Sequence, residues 1–228
     1  KNGHETSLIY FANNPSNKSK IRNALEKEEA DFIAFSFMSG MKDHYVDLAK
    51  YIKQHMDTTI IVGGPAAAFD ERMRKTDMPF DAVCVGEGDF AILDFVENYD
   101  KNNPSKIENW IINLPNDKQL ISGLSPLVEP LDQLPMPDYS IIYDNDAFLK
   151  NMKLKMFISG RGCPYKCTYC FNHKFNEMYK SKGPIIRHKS VDYFIEEILQ
   201  VKKKYPLEGI IFEDDIFIID KGWLEEFA

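Results

Sequence analysis

Cysteine is scarce in this chain, with four residues in 228, too few for a disulfide-stapled scaffold. Long apolar runs are missing too. No stretch reaches the roughly 18 or more consecutive apolar residues of a membrane-spanning helix, so no membrane partner is expected. Nor is there an excess of positive charge. The 28 basic and 35 acidic residues leave a net charge of -7, which argues against a nucleic-acid partner. The one basic run, Lys202-Lys203-Lys204, reads as a solvated helix end. What is present is ordinary for a globular enzyme: 44% hydrophobic residues and a length compatible with one or two domains.

The first hundred residues alternate short apolar runs with helical periodicity. Leu8-Ile9-Tyr10-Phe11 reads as a strand, and Lys18 to Glu28, with Ile21, Ala24 and Leu25 on one face, as a helix. Phe32 to Phe37 reads as a strand leading into a helix whose apolar face is Met41, Tyr45, Leu48 and Ile52. The strand Thr59 to Val62 ends in Gly63-Gly64-Pro65, and a helix follows around Asp70 to Lys75. The strand Ala82 to Val85 ends in Gly86-Glu87-Gly88, with Asp89 as N-cap of a helix from Phe90 to Tyr99. Strands alternating with helices and bounded by glycine imply a doubly wound, parallel, Rossmann-like sheet. Ligands on such sheets bind at the carboxyl ends of the strands, here Ser36, Gly63-Gly64 and Gly86-Glu87-Gly88. Cys84, in an apolar run, reads as core.

The periodicity breaks between residues 103 and 151. Trp110 to Asn113 and Gln119 to Ile121 flank Pro115-Asn116-Asp117-Lys118 and predict a small hairpin. Pro126, Pro130, Pro135 and Pro137 then mark an extended connector. Beyond it, Lys155 to Ser159 and Gly209 to Phe212 read as strands. Ser190 caps a helix between them, with an apolar stripe of Val191, Phe194, Ile195, Ile198 and Leu199. The second of these strands ends at Glu213-Asp214-Asp215, carboxylates that are costly at a strand exit unless hydrogen bonded or facing a polar ligand.

Three of the four cysteines, Cys163, Cys167 and Cys170, fall within eight residues, in Ser159-Gly160-Arg161-Gly162-Cys163-Pro164-Tyr165-Lys166-Cys167-Thr168-Tyr169-Cys170. Three thiolates on a four-iron cluster leave one iron open to an exogenous ligand. Zinc is the alternative. It closes with four ligands, and His173 would be the fourth.

The Cys-x3-Cys-x2-Cys spacing, with Tyr169 before the last cysteine, resembles that of the radical S-adenosylmethionine (SAM) enzymes. The resemblance implies that Cys163, Cys167 and Cys170 hold a 4Fe-4S cluster and that Tyr169 lies near the adenine. In that family the open iron binds the methionine moiety, and reductive cleavage of the sulfonium yields a 5'-deoxyadenosyl radical. Glu213, Asp214 and Asp215 match the polar strand end that binds the methionine amino group, and Arg187 matches an arginine that recurs ahead of the following helix. Upstream, Ser36, Gly63, Gly64, Gly86, Glu87 and Gly88 resemble the cleft that accepts the nucleotide tail of cobalamin in one branch of the family. Leu134 to Tyr139 resembles that branch's interdomain linker. No Asp-x-His-x-x-Gly motif occurs, so no histidine is carried over as a lower cobalt ligand.

The expected fold is therefore α/β: a cobalamin-binding-type domain over 1–102, a hairpin and linker over 103–151, and the start of an incomplete (β/α) radical SAM barrel over 152–228. Against the family pattern, the first strand and about four barrel units are missing, so this chain alone is expected to be inactive. The resemblance implies SAM, a 4Fe-4S cluster and cobalamin as cofactors, a reductant such as flavodoxin or ferredoxin, a small-molecule or otherwise undefined substrate, and a reducing cytoplasm. Methyl transfer and other radical chemistry both fit. A radical SAM enzyme without cobalamin and a non-enzymatic metal-binding or electron-transfer module are the alternatives.

Overall fold

A computed structural model describes residues 3–9 and 17–228. The chain divides into two compact units, Pro15–Pro126 and Leu127–Ala228, the described residues 3–9 grouping with the second. Of the expected strand Leu8 to Phe11, Tyr10 and Phe11 lie outside the described residues, and Leu8 and Ile9 belong to no strand.

In the first unit, helix α1 (Lys18–Glu28) starts where the Asn17 side chain accepts the Lys20 amide at 3.0 Å, satisfying one orphan donor of the first turn. β1 (Phe32–Ser36), α2 (Lys42–His55), β2 (Thr59–Gly63), α3 (Gly64–Phe69), β3 (Ala82–Cys84) and α4 (Asp89–Asn98) follow in alternation. β1, β2 and β3 pair in parallel, Ser36 lying opposite Gly63 and Val62 opposite Val83.

Two differences from the sequence expectation have local causes. Gly64-Pro65 opens a helix rather than a plain turn, because proline's fixed φ and missing N–H suit a first helical turn. The segment expected as a helix from Asp70 to Lys75 is a short 3-10 turn, Glu71–Arg74. Gly88 occupies the cap position of α4, and Asp89 sits in its first turn, where a carboxylate complements the helix dipole.

The hairpin β4 (Trp110–Leu114) and β5 (Lys118–Ile121) is not a detached connector. β4 adds antiparallel to β3, making a five-stranded sheet in the order β1-β2-β3-β4-β5. Asn116 and Asp117 supply the left-handed turn, which their short polar side chains tolerate. One face of the sheet packs Ile61, Ala82, Cys84, Trp110 and Ile112 against Ala91 and Phe95 of α4. Ile60, Val62, Val83 and Ile111 are buried as well, so both faces are covered, as a parallel α/β sheet requires.

The second unit opens with the proline-rich segment, which packs closely against it. The Leu127 amide donates to Lys182 O at 2.8 Å, and the Tyr193 hydroxyl donates to Leu134 O at 2.7 Å. Two short helices, α5 (Ser140–Tyr143) and α6 (Ala147–Asn151), lead to β6 (Leu154–Phe157). β7 (Gly160–Arg161), α7 (Asn172–Met178), β8 (Arg187–His188), α8 (Val191–Lys204), β9 (Gly209–Phe212) and α9 (Lys221–Phe227) complete it. β6 pairs in parallel with β9, while β7 pairs with β8. Among the described residues this two-stranded parallel sheet does not close into a barrel.

Along α8 the buried line is Val191, Phe194, Glu197 and Val201, whereas Ile195 and Leu199, expected on the apolar stripe, are exposed. The contacts come from an aromatic core of Tyr143, Phe157, Phe194, Tyr205 and Trp223, toward which the 191-194-198-201 spacing faces.

Candidate functional site

The parallel pairing of β6 and β9 sets Phe157 beside Phe212, so both strands end on one edge. From that edge depart the segment carrying the three cysteines and the acidic run 213–215. The Glu213 amide donates to Phe157 O at 2.9 Å, extending the ladder by one bond. Asp214 turns back toward β6. Its Oδ1 accepts the Ser159 amide at 3.0 Å, the Ser159 hydroxyl at 2.7 Å and the Gly160 amide at 2.7 Å. Ser159 is fully buried, and this carboxylate satisfies its hydroxyl. Glu213 and Asp215 remain exposed.

The cysteine loop is held near its start. Gly162 has φ +97°, and a β-carbon there would lie 2.0 Å from Ile185 O, so only glycine fits. The Asn176 amide donates to Cys163 O at 2.8 Å, and the Cys170 amide donates to Cys167 O at 3.1 Å. All three cysteines are free thiols; Cys163 is buried, Cys167 exposed and Cys170 half-buried, and Tyr169 is 92% exposed. Among the described residues, no three of the His, Cys, Asp and Glu side chains are gathered into a metal-holding group, so the thiols share a loop without converging on one point. The donor chemistry nevertheless suits iron-sulfur ligation: three undisulfided thiols on one anchored, partly open loop.

Lys189 supports the same strand end from the other side. Its amide donates to Ser159 O at 2.9 Å and its ammonium to Ile158 O at 2.8 Å. The ammonium also pairs at 2.6 Å with Glu197, which is 1% exposed and accepts the Tyr139 hydroxyl at 2.6 Å. Burial, and then that bond to Glu197, push the Tyr139 phenol up. Arg187, which matches the recurrent arginine ahead of the helix, is 2% exposed and donates to Val128 O at 2.9 Å.

In the first unit the glycine-marked strand ends lie together. A β-carbon on Gly64, at φ +83°, would sit 2.8 Å from Ser36 Oγ and 3.0 Å from the Phe37 amide nitrogen. On Gly63 it would be 3.6 Å from Cys84 Cβ, whereas on Gly88 it would meet nothing within 4 Å. The backbone is thus bare at Gly88, while at Gly64 the ends of β1 and β2 approach too closely for a side chain. Gly86 also has positive φ, at 103°. Burial pushes the Cys84 thiol up to about 12, marking it as an inert core residue.

Comparison with known proteins gives these two arrangements a context. Residues 1–96 match the B12 binding domain family. An uncharacterized methyltransferase of Pyrococcus horikoshii is 25% identical over 223 residues, covering 96% of this chain and 47% of that protein. The anaerobic magnesium-protoporphyrin IX monomethyl ester cyclase of Cereibacter sphaeroides is 24% identical over 174 residues, 74% of this chain and 27% of the cyclase. The radical S-adenosylmethionine methyltransferase TsrM of Kitasatospora setae has the same fold. Its structure with tryptophan and a SAM analog bound matches with a TM-score of 0.66 at 12% identity, over 99% of this chain and 44% of TsrM. Its structure with cobalamin and a 4Fe-4S cluster bound gives 0.62 at 11% identity, over 93% and 42%.

The chain is thus similar to B12 binding domains over residues 1–96 and shares the fold of a radical SAM methyltransferase. It spans about half the length of the Pyrococcus relative and less of the cyclase.

Asn109 carries no signal in the sequence pattern, yet it supports the end of β3. Its side chain is 2% exposed at φ 68° and donates to Glu87 O at 2.9 Å while accepting the Ser125 amide at 2.7 Å. It thereby fixes the Gly86-Glu87-Gly88 loop from the hairpin side. Nor does the sequence pattern mark Lys189 or Glu197, because the expected apolar stripe of α8 runs through Ile195 and Leu199. Among the described residues no helix is long and apolar enough to cross a membrane.

Proposed function

We propose that the parent protein is a cobalamin-dependent radical SAM enzyme, with methyl transfer to a small molecule as the favoured reaction. The observation that carries this reading is the anchored loop of three free cysteines at the end of β6, beside the acidic end of its parallel partner β9. Cys163, Cys167 and Cys170 would ligate a 4Fe-4S cluster, and Tyr169 would lie along the adenine of SAM. Asp215 and Glu213 would face the methionine amino group, with Asp214 shared between that role and its bonds to Ser159 and Gly160. When bound, the cluster supplies the electron for cleavage of the sulfonium, and the protein's part is to orient the cofactors and exclude side reactions.

In the first unit, Ser36, Gly63, Gly64, Gly86, Glu87 and Gly88 would line the cleft for the cobalamin nucleotide tail. The B12 binding match over residues 1–96 supports this role. The division of labour would then be one cofactor system per unit, the chain passing from the first to the second at Pro126 and Leu127. A reduced flavodoxin or ferredoxin would deliver electrons in a reducing cytoplasm.

The test uses the full-length protein, purified without oxygen and reconstituted with iron and sulfide. Methionine and 5'-deoxyadenosine are expected on reduction with SAM, and corrinoid is expected to remain bound through gel filtration. No cleavage of SAM by a cluster-loaded protein refutes the radical reading, whereas cleavage without corrinoid retention leaves a radical SAM enzyme that does not use cobalamin. Cys167→Ala should lose the cluster and all cleavage.

A further inference from the structure

We infer that Asp214 and Lys189 are positioning residues that clamp the backbone of residues 158–160 and thereby set where the cysteine loop begins. The inference rests on the proposed cluster role of the loop.

Three consecutive residues at the strand exit have most of their polar groups taken by two residues, through the Asp214 carboxylate and through both the ammonium and the backbone amide of Lys189. Asp214 Oδ1 accepts the Ser159 amide at 3.0 Å, the Gly160 amide at 2.7 Å and the Ser159 hydroxyl at 2.7 Å, and its Oδ2 lies 3.1 Å from the same Ser159 amide. The Lys189 ammonium donates to Ile158 O at 2.8 Å, and the Lys189 amide to Ser159 O at 2.9 Å. Ordinary ladder pairing would satisfy these groups without charge. Here β6 stops at Phe157, and the chain shifts to β7 to pair with β8. The break removes β9 as a partner for the amides of Ser159 and Gly160, and buried backbone groups such as these cannot go unpaired. Charged groups make the stronger replacement bonds.

The clamp is itself held. Lys189 is tied to Glu197 at 2.6 Å, and the Trp223 indole donates to Lys189 O at 2.7 Å. Gly160 has no room to move toward β8, since a β-carbon there would meet Arg187 O and His188 Nδ1, each at 2.7 Å. Cys163 follows Gly160 by three residues, so a displacement at residues 158–160 is carried to the first thiol. Neither clamp residue needs to touch a cofactor to act this way.

Hydrogen exchange on the cluster-free full-length protein tests the clamp independently of any cofactor. Asp214→Ala should raise exchange at the Ser159 and Gly160 amides about tenfold or more, leaving the α8 amides protected. Asp214→Asn, which keeps one acceptor oxygen, should recover part of that protection. Because Lys189→Met alone leaves the buried Glu197 carboxylate without its cation, with only the Tyr139 hydroxyl on it, the change is combined with Glu197→Leu. The double variant should regain the wild-type thermal midpoint, yet loop exchange should stay fast, and the reconstituted cluster should show shifted g-values in its EPR spectrum. Unchanged exchange in Asp214→Ala, or full restoration of both exchange and spectrum in the Lys189→Met/Glu197→Leu protein, would overturn the inference. If the wild-type protein takes up no cluster, the proposed function fails while the exchange results still decide the clamp.

Discussion

Gly64→Ala puts the close approach at the first strand ends to a quantitative test. Gly64 has φ +83°, where a β-carbon costs about 1–2 kcal/mol. The added carbon would also stand 2.8 Å from Ser36 Oγ and 3.0 Å from Phe37 N, and relieving such overpacking typically costs about 1–3 kcal/mol. A change from glycine to alanine also stiffens the unfolded chain, which returns about 0.4–1 kcal/mol, so the net loss is about 1–5 kcal/mol. With a urea dependence of about 2 kcal/mol/M, the midpoint should fall by about 0.5–2.5 M. The chain has two tryptophans, Trp110 in the first unit and Trp223 in the second. In a Trp223→Phe background, fluorescence of Trp110 therefore follows the first sheet alone. Gly40→Ala is the control: nothing lies within 4 Å of its β-carbon and its φ is not positive, so the midpoint should hardly move. Adding Ser36→Ala to Gly64→Ala removes the nearest contact and should recover part of the loss. A Gly64→Ala protein that unfolds with the Gly40→Ala control would refute the close-approach reasoning, as would strict additivity with Ser36→Ala.

Two further outcomes follow from titrating groups. The Asp70 carboxyl is held well below the usual carboxylate range, chiefly by its hydrogen bond from Arg72 and also by that from Lys42. A depressed carboxyl stabilises the fold above its unfolded value of about 3.9 and loses that contribution as pH falls toward the folded value. Thermal midpoints of wild type and Asp70→Asn should therefore differ at neutral pH and converge below about pH 4; a constant gap would contradict this. Among the cysteines, Cys84 is buried with its thiol pushed up to about 12, whereas Cys167 is exposed. Alkylation of the cluster-free protein at pH 8 should modify Cys167 first and Cys84 only after denaturation, and equal rates by mass spectrometry would contradict that reading.

The residues that could be read from sequence are those whose meaning is local. Apolar spacing along Lys18–Glu28 and Lys42–His55 is enough for two helices, and the glycines after β2 and β3 mark strand ends. The cysteine spacing likewise carries its chemistry within eight residues. The hairpin 110–121 was legible as a hairpin, but its pairing with β3 was not, because that depends on Val83 meeting Ile111 across an intervening helix. Gly64-Pro65 suits both turns and helix starts, and the burial of Ala66, Ala67 and Ala68 favours the helix.

Asp214 shows where local reasoning runs out. In the sequence it is one of three adjacent carboxylates at a strand end. Their roles separate only through the register of β6 with β9, which sets Phe157 against Phe212 and brings the Asp214 carboxylate to the Ser159 and Gly160 amides. A shift of one residue would point the next carboxylate inward, since side chains alternate along a strand. The assignment of Glu213, Asp214 and Asp215 therefore depends on a long-range pairing that no local pattern encodes. Glu197 was hidden for a related reason. The expected apolar stripe ran through Ile195 and Leu199, and it is the aromatic core packed on α8 that turns Glu197 inward, where a buried carboxylate needs the partners that Lys189 and Tyr139 supply at 2.6 Å each.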